Sequence, residues 1–494
     1  MNSSDPSENL ARGTLMREVT GPVRQTIEFF IVLTLSILLF RTFAAEAYIV
    51  PTGSMAPTLL GRHRELTCPN CRYRFPIGMD EEGRSGRPAC PNCGKGRLED
   101  EPAVECNGDR LLVQKFFFEM RGPKRWEVAV FRYPGDLSQA FVKRVVALPG
   151  EVLQIVRGDV HIDGTVARKT LKEQRAMRVL VYDHDYKPDD FGRYPRWTFR
   201  RATSNLRSPT GWSFDGNKFF HEPDADAQET LAKGRPAPVD WLEYHHWLPE
   251  RGGYGPVRDY CGYNGAEMNS SNTVRDFFLE ATIEAESGVE AILARIVSGS
   301  DHFVVVIPLG GPAPPEVRRN GILLRPQGLR PDLARSLATS GPIKLEASVI
   351  DQRFTVALND QLLFTPYDYD DPGDKPPRID ESPVSLGIRG GRAIASGLKI
   401  YRDFHYTSDI IDAARHPAGV EKPLQLKAGE YFVLGDNSPV SNDSRFWTVG
   451  PIVKREMFIG KPFLVHLPGQ VVPLEVFGHS LYCIPDPREI RYIR

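Results

Sequence analysis

Residues 343–364, IKLEASVIDQRFTVALNDQLLF, leave the chain few choices of fold. Apolar residues recur at every second position, the period of a strand with one face buried and one face wet. Two short polar breaks, Asp351-Gln352 and Asn359-Asp360, have the size and composition of tight hairpin turns. A chain that reverses twice over so short a stretch builds an antiparallel sheet, whose apolar face needs a second layer to cover it. The same texture recurs in DFFLEATIEAE (276–286), HFVVVIPLG (302–310) and SLGIRGGRAIASGLKIYRDF (385–404). In the first of these, Phe278, Glu280, Thr282 and Glu284 share one side, with Leu279, Ala281, Ile283 and Ala285 on the other. Many short antiparallel strands joined by polar loops imply a β-sandwich over residues 180–415.

A second set of β-rich runs flanks that region: GDRLLVQKFFF (108–118), RWEVAVFRYP (125–134) and AFVKRVVALPGEVLQIVRGDVHIDG (140–164), with turns at Pro149-Gly150 and Arg157-Gly158-Asp159. It resumes in GEYFVLGDN (429–437) and MFIGKPFLVHL (457–467). The sandwich is therefore expected as an insertion between residues 107–179 and 416–494 of another β-domain. With 62 basic against 63 acidic residues, the chain has no general electrostatic pull toward nucleic acid.

The N-terminus is different. A polar stretch, 1–24, precedes the apolar TIEFFIVLTLSILLFRTFAAEAYIV (26–50). Its uncharged core, Phe29 to Phe40, is short for a membrane span, but Glu28 and Arg41 can snorkel and the run extends through Phe43–Ala45. Residues 25–47 are read as one N-terminal transmembrane helix, a signal-anchor, with a cleaved signal peptide ending at Ala45-Glu46-Ala47 as the alternative. Arg12, Arg17 and Arg24 precede the span, which places the N-terminus in the cytoplasm and the rest outside.

Four cysteines cluster in CPNCRYRFPIGMDEEGRSGRPACPNC. Two C-x-x-C knuckles, Cys68/Cys71 and Cys90/Cys93, suit a four-thiolate structural zinc in a ribbon-like insert over 67–106. Two disulfides are the alternative. Four arginines against three acids between the knuckles give no nucleic-acid footprint. Cys106, Cys261 and Cys483 have no evident partners.

Three places carry chemistry. IVPTGSMAPTLL (49–60) puts Ser54 in a Gly/Pro-rich turn straight after the apolar run, with His63 the nearest histidine in sequence. FVKRVVALPG puts Lys143 inside an apolar strand, on the face of Val145 and Ala147 and opposite Arg144. A lysine desolvated there loses its proton more readily and is a general base for a serine hydroxyl; an edge-strand lysine in water is the alternative. In YFVLGDNSPVSNDSRFWTVGPI (431–452), Gly435-Asp436-Asn437 makes a tight turn and Ser441, Asp443 and Arg445 alternate after it.

PTGSMAPTL, FVKRVVALPGE and GDNSPVSNDSR, in that order after a signal-anchor, resemble the type I signal peptidases, membrane-bound Ser–Lys proteases. GDRLLVQKFF and RWEVAVFRYP are similar to two further blocks of that family. The resemblance covers residues 25–66, 107–175 and 420–494. It implies Ser54 as nucleophile, Lys143 as general base, Ser441 as the hydroxyl that positions the lysine, and Asp443 with Arg445 as its support. Thr52 and the Ser54 N–H would form the oxyanion hole. No catalytic cofactor is implied. Preproteins bearing signal peptides would be the substrates, at the inner membrane. Ser438 stands where the family commonly has arginine. The expected fold class is mainly β: a signal-peptidase-type catalytic domain (48–66, 107–179, 416–494) after one transmembrane helix, with a zinc ribbon and an antiparallel sandwich inserted.

The inserted sandwich resembles concanavalin- or laminin-G-like jelly rolls through DFFLEATIEA, FTVALNDQLLF and SLGIRGGRAIASGLKIYRDF. That implies a carbohydrate or envelope-protein ligand, with Trp197, Trp212, Trp241 and Trp247 either lining a site or forming core. A membrane-tethered binding protein with an inactive protease core is the alternative from another class. A self-cleaving repressor of the same Ser–Lys clan would need a soluble DNA-binding N-terminus, and the apolar segment argues against it.

Overall fold

The computed structural model describes residues 21–39 and 45–493, apart from 81, 100, 203–209, 266–271, 287, 310–311, 338–340, 371–381, 408–416 and 477–478. Strands dominate, as the alternating runs require. The expected transmembrane helix of residues 25–47 is corrected. The helix runs Pro22–Leu39, and among the described residues no helix is long and apolar enough to cross a membrane. Its first turns are polar, with Arg24 Nε donating to Glu28 Oε1 (2.8 Å), which leaves Phe29–Leu39 as the apolar run. The extension toward Ala45 falls partly on residues 40–44, outside the described residues. Ala45–Ile49, including the Ala-Glu-Ala motif, is a strand paired with Arg110–Gln114.

An eight-stranded sheet holds the regions that flank the sandwich in sequence. Its order is Ala45–Ile49, Arg110–Gln114, Phe458–Leu467, Val128–Tyr133, Asp136–Ala147, Glu430–Leu434 and Val453–Lys454, with Arg491–Tyr492 beside Phe458–Leu467. Asp136–Ala147 is interior, paired on both sides, and Lys143 through Ala147 are all buried. Lys143 is thus no edge lysine. Its cross-strand partner Ala129 is small and buried, which leaves room for a long side chain.

The insertion is two antiparallel sheets around one core. One contains Phe277–Ala285, Ile343–Ile350, Arg353–Leu358 and Ala393–Asp403; the other contains Val239–Tyr244, Val289–Ser298, Asp301–Pro308 and Val384–Gly390. Leu279, Ala281, Ile283, Leu345, Ala347, Val349 and Val356 fill the space between them. Both hairpin turns have the left-handed backbone of a two-residue loop, with positive φ at Asp351, Gln352, Asn359 and Asp360. The sandwich reaches further toward the N-terminus than expected, because Arg178–Asp183 pairs with Ala393–Asp403. Trp197, Trp212, Trp241 and Trp247 are all buried; the first three are core, and Trp247 lines a cavity with Pro91, Asn92 and Val257.

The cysteine module also starts earlier than expected. His63–Thr67 pairs with Arg74–Gly78 and with Ala103–Cys106 in a three-stranded sheet. Phe75, Ile77, Leu66 and Leu98 pack with the four cysteines in a small core of their own.

Candidate active site

Ser54 sits in a single 3₁₀ turn, Gly53–Met55, between an extended Thr52 and an extended Ala56. Apolar side chains fasten that turn: Met55 and Leu59 are buried with Val50, Leu111, Val113, Val128, Val130 and Val465. Buried Asp109 ties down the segment that follows, accepting from Leu60 N (3.0 Å), Gly469 N (2.9 Å) and Arg491 Nη2 (2.8 Å). From the other side, the Tyr263 ring lies so close to Gly53 that a Cβ there would fall 2.0 Å from Cε1. Only glycine fits.

Lys143 Nζ donates to Ser54 Oγ at 2.6 Å, and the two residues are only 4% and 9% exposed. Removal from water pushes the Lys143 amine down to about 8; Asp443 and Asp436 oppose this through space, and Arg445 reinforces it. The carboxylates do not win because each is already engaged. Arg144 holds Asp436 through two bonds (Nε to Oδ1, 2.7 Å; Nη2 to Oδ2, 2.5 Å). Arg445 holds Asp443 likewise (Nε to Oδ1, 2.9 Å; Nη2 to Oδ2, 2.8 Å). Paired bidentate bonds of this kind fix geometry and neutralise charge together. Thr52 Oγ1 lies 3.5 Å from Ser54 Oγ and Thr52 is exposed, so the hydroxyl is at the open side of the site.

The segment after Gly435 closes the site. Asn437 N donates to Ser54 O (3.1 Å) and Asn437 Nδ2 to Gly53 O (2.9 Å). Gly435 passes so near that a Cβ would lie 2.1 Å from Ser441 Oγ and 2.5 Å from Ser54 O. Ser441 is buried, but its Oγ makes no hydrogen bond among the described residues. Asp443 also accepts from Gly435 N (3.0 Å). Arg445 donates to Ser438 Oγ (2.8 Å), and Ser438 Oγ accepts from Thr407 N (2.8 Å). Ser438 thus accepts from the Arg445 guanidinium.

The fold therefore gathers Thr52, Ser54, Lys143, Ser441, Asp443 and Arg445 from three distant stretches. His63 is not among them; it bonds Gly61 O (2.7 Å) and lies 3.3 Å from Glu65. Sequence reasoning missed Asn437 as a tether, although Gly-Asp-Asn was visible as a turn. It also missed Tyr263 and Asn264, which come from the sandwich insertion. Asn264 and Asn437 exchange amide hydrogen bonds of 2.8 and 2.7 Å. No local pattern announces such a contact.

A profile of the family described as "Signal peptidase, peptidase S26" matches residues 101–202 and 352–467. Lys143, Ser441, Asp443 and Arg445 lie inside those stretches, and Ser54 lies before them. The probable signal peptidase I-2 of Synechocystis sp. is 25% identical over 194 residues, 37% of this chain and 66% of that protein. Signal peptidase I of Leptolyngbya laminosa is 30% identical over 148 residues, 28% of this chain and 48% of that protein. Signal peptidase I of Pseudomonas fluorescens is 30% identical over 146 residues, 29% of this chain and 39% of that protein. The chain thus spans less than two thirds of the length of these relatives. Among solved structures, the carbohydrate binding module CBM66 from Bacillus subtilis is 11% identical and covers 42% of this chain and 94% of its own, but at a TM-score of 0.24 the likeness carries no argument.

Proposed function

We propose that the protein is a serine endopeptidase of the signal peptidase I kind, working through a Ser54–Lys143 dyad. The observation that carries this reading is the 2.6 Å contact between Lys143 Nζ and Ser54 Oγ in a pocket whose carboxylates are bound to arginines. A lysine brought to about 8 is partly neutral near neutral pH and accepts the serine proton. Ser54 Oγ then attacks the scissile carbonyl carbon. The oxyanion is held by the Ser54 N–H and the Thr52 hydroxyl, donors of a kind worth about 3–4 kcal/mol. The Lys143 ammonium returns its proton to the leaving amine. In the second half, neutral Lys143 takes a proton from water, the hydroxide attacks the acyl-serine ester, and Ser54 is regenerated. By the family resemblance Ser441 is assigned the positioning of Lys143, although its Oγ bonds nothing among the described residues; Asp443 and Arg445 hold its loop.

The proposed substrates are preproteins carrying a signal peptide, cut after a small residue. The N-terminal helix supports a membrane location: Ile27, Phe29, Phe30, Ile31, Val32, Leu33 and Leu35 are all exposed, a surface suited to lipid. Such an anchor would hold enzyme and signal peptide in the same bilayer, so that encounter is confined to two dimensions. The test is cleavage of a detergent-solubilised preprotein with a small-x-small site by the wild type and by Ser54→Ala. Cleavage at that site by the wild type alone is expected. Folded wild type that cuts none of several preproteins would return the protein to a binding role with an inactive core.

A further inference from the structure

The two cysteine knuckles are built alike. In the first, Cys68 N donates to Tyr73 O (2.9 Å) and Arg72 N to Cys68 O (2.8 Å); in the second, Cys90 N donates to Lys95 O (2.8 Å) and Gly94 N to Cys90 O (2.9 Å). The residue after each second cysteine has a positive φ, 64° at Arg72 and 77° at Gly94. Arginine pays a steric cost there that glycine does not. Together the knuckles bring four buried sulfur atoms within 4.8 Å of one another. Between the knuckles, Cys68 Sγ lies 3.6 Å from Cys93 Sγ and Cys71 Sγ lies 3.5 Å from Cys90 Sγ. A disulfide needs about 2.05 Å. A tetrahedron of sulfurs about 2.3 Å from one zinc has edges of about 3.8 Å.

Each knuckle also grips the inserted sandwich. Asp189 N donates to Asn70 O (2.9 Å). Asn92 accepts from Asp183 N (2.6 Å) and donates to Tyr186 O (2.9 Å). Pro91 packs against Gly262, where a Cβ would lie 2.8 Å from the proline ring. The next two residues, Tyr263 and Asn264, are those that press on Gly53 and bond Asn437. Contact is continuous from the second knuckle to the nucleophile turn.

We propose that Cys68, Cys71, Cys90 and Cys93 hold one Zn²⁺ as thiolates, and that this ion fastens the inserted sandwich against the turn that carries Ser54. Binding exchanges protons for metal: four thiols release four H⁺ as one Zn²⁺ is taken up, which leaves a doubly negative tetrathiolate. The inference does not depend on the peptidase reading, since neither its evidence nor its test involves cleavage.

The experiment uses the full chain purified in detergent without added metal. Metal analysis is expected to find about one zinc per chain, with exchange for Co²⁺ giving the sulfur-to-cobalt charge transfer of a tetrahedral tetrathiolate. Stripping with a chelator is expected to speed hydrogen exchange at residues 51–57 and 260–265 by about tenfold or more, restored by Zn²⁺. A chain four mass units lighter, with two disulfides and no metal, would overturn the site, as would iron in place of zinc. A metal-bound chain whose exchange at 51–57 is unmoved by stripping would overturn the fastening.

Discussion

Lys143 and Lys169 are both almost wholly removed from water, 4% and 2% exposed, yet they sit in opposite electrostatic company. Burial lowers the affinity of each amine for its proton. Around Lys143 the two nearest carboxylates are claimed by Arg144 and Arg445, its bond is to a hydroxyl, and its amine is brought down to about 8. Lys169 Nζ instead donates to both oxygens of Asp351 (2.9 Å each) and to Asp403 (2.8 Å), and its proton is held more tightly than in water. Trp126 lies beneath it, 4.6 Å from the ammonium. Depth alone therefore does not make a base. What decides is whether the neighbouring carboxylates have been satisfied by something else.

Substituting each lysine gives the largest contrast. Ser54→Ala and Lys143→Ala are each expected to lower cleavage by roughly 10³-fold or more while the fold survives. Lys143→Arg is expected to fail as well, because a guanidinium keeps its proton. Lys169→Met is expected to leave the cleavage chemistry within a few-fold of wild type but to cost about 3–5 kcal/mol of stability, since it strands buried carboxylates. Cleavage assays paired with denaturant melts separate the two. A Lys169 variant that is stable and inactive would erase the distinction.

The next largest effect comes from converting one environment toward the other. Arg445→Met releases Asp443 beside Lys143, and an unpaired carboxylate there favours the ammonium. Only the neutral amine accepts the Ser54 proton, so activity in the wild type should rise with pH through about 8. In the variant the midpoint should move about one unit higher, which at neutral pH removes about nine-tenths of the active form. A lower rate with an unmoved midpoint would make Arg445 a scaffold for the loop through Thr407 and Ser438, with no part in setting the base.

This contrast between the lysines also marks how far the sequence could be read. Ser54 and Lys143 were legible because the turn and the strand are local, and strand period separates Lys143 from Arg144. Asp443 and Arg445 were legible for the same reason, lying two residues apart. The hairpins of the sandwich were visible as Asp-Gln and Asn-Asp pairs, whose left-handed backbone those turns require. Lys169 gave no such sign. Its partners lie 182 and 234 residues away, one in a hairpin turn of the insertion and one at the end of a strand. Tyr263 and Asn264 were silent for the same reason. The first strand of the sandwich begins at Arg178, two residues before the expected boundary at 180, because Arg178–Asp183 pairs with Ala393–Asp403 across more than two hundred residues.

The smallest expected effect lies in the carboxylates around Lys169. Asp159, Asp276 and Asp351 bring oxygens within 4.8 Å of one another, with Asp403 also bonded to the ammonium and Arg275 nearby. More acids than cations meet here. Burial, with the neighbouring carboxylates, raises Asp159 and Asp403 to about 7 each. A carboxyl that binds its proton more tightly when folded than when unfolded stabilises the fold at low pH. This contribution is therefore expected to be full below about pH 4, to shrink as pH rises, and to be lost on passing through about 7. Asp159→Asn removes one charge and keeps the shape. It is expected to raise the melting temperature at pH 8 by a few degrees, to change it little near pH 4.5, and to flatten the slope between. Melting curves of the two proteins across that range decide it. A variant that loses stability at both ends would mean that the Asp159 charge is wanted, as a partner for Lys169 and Arg275, and that the two buried lysines differ less than their surroundings imply.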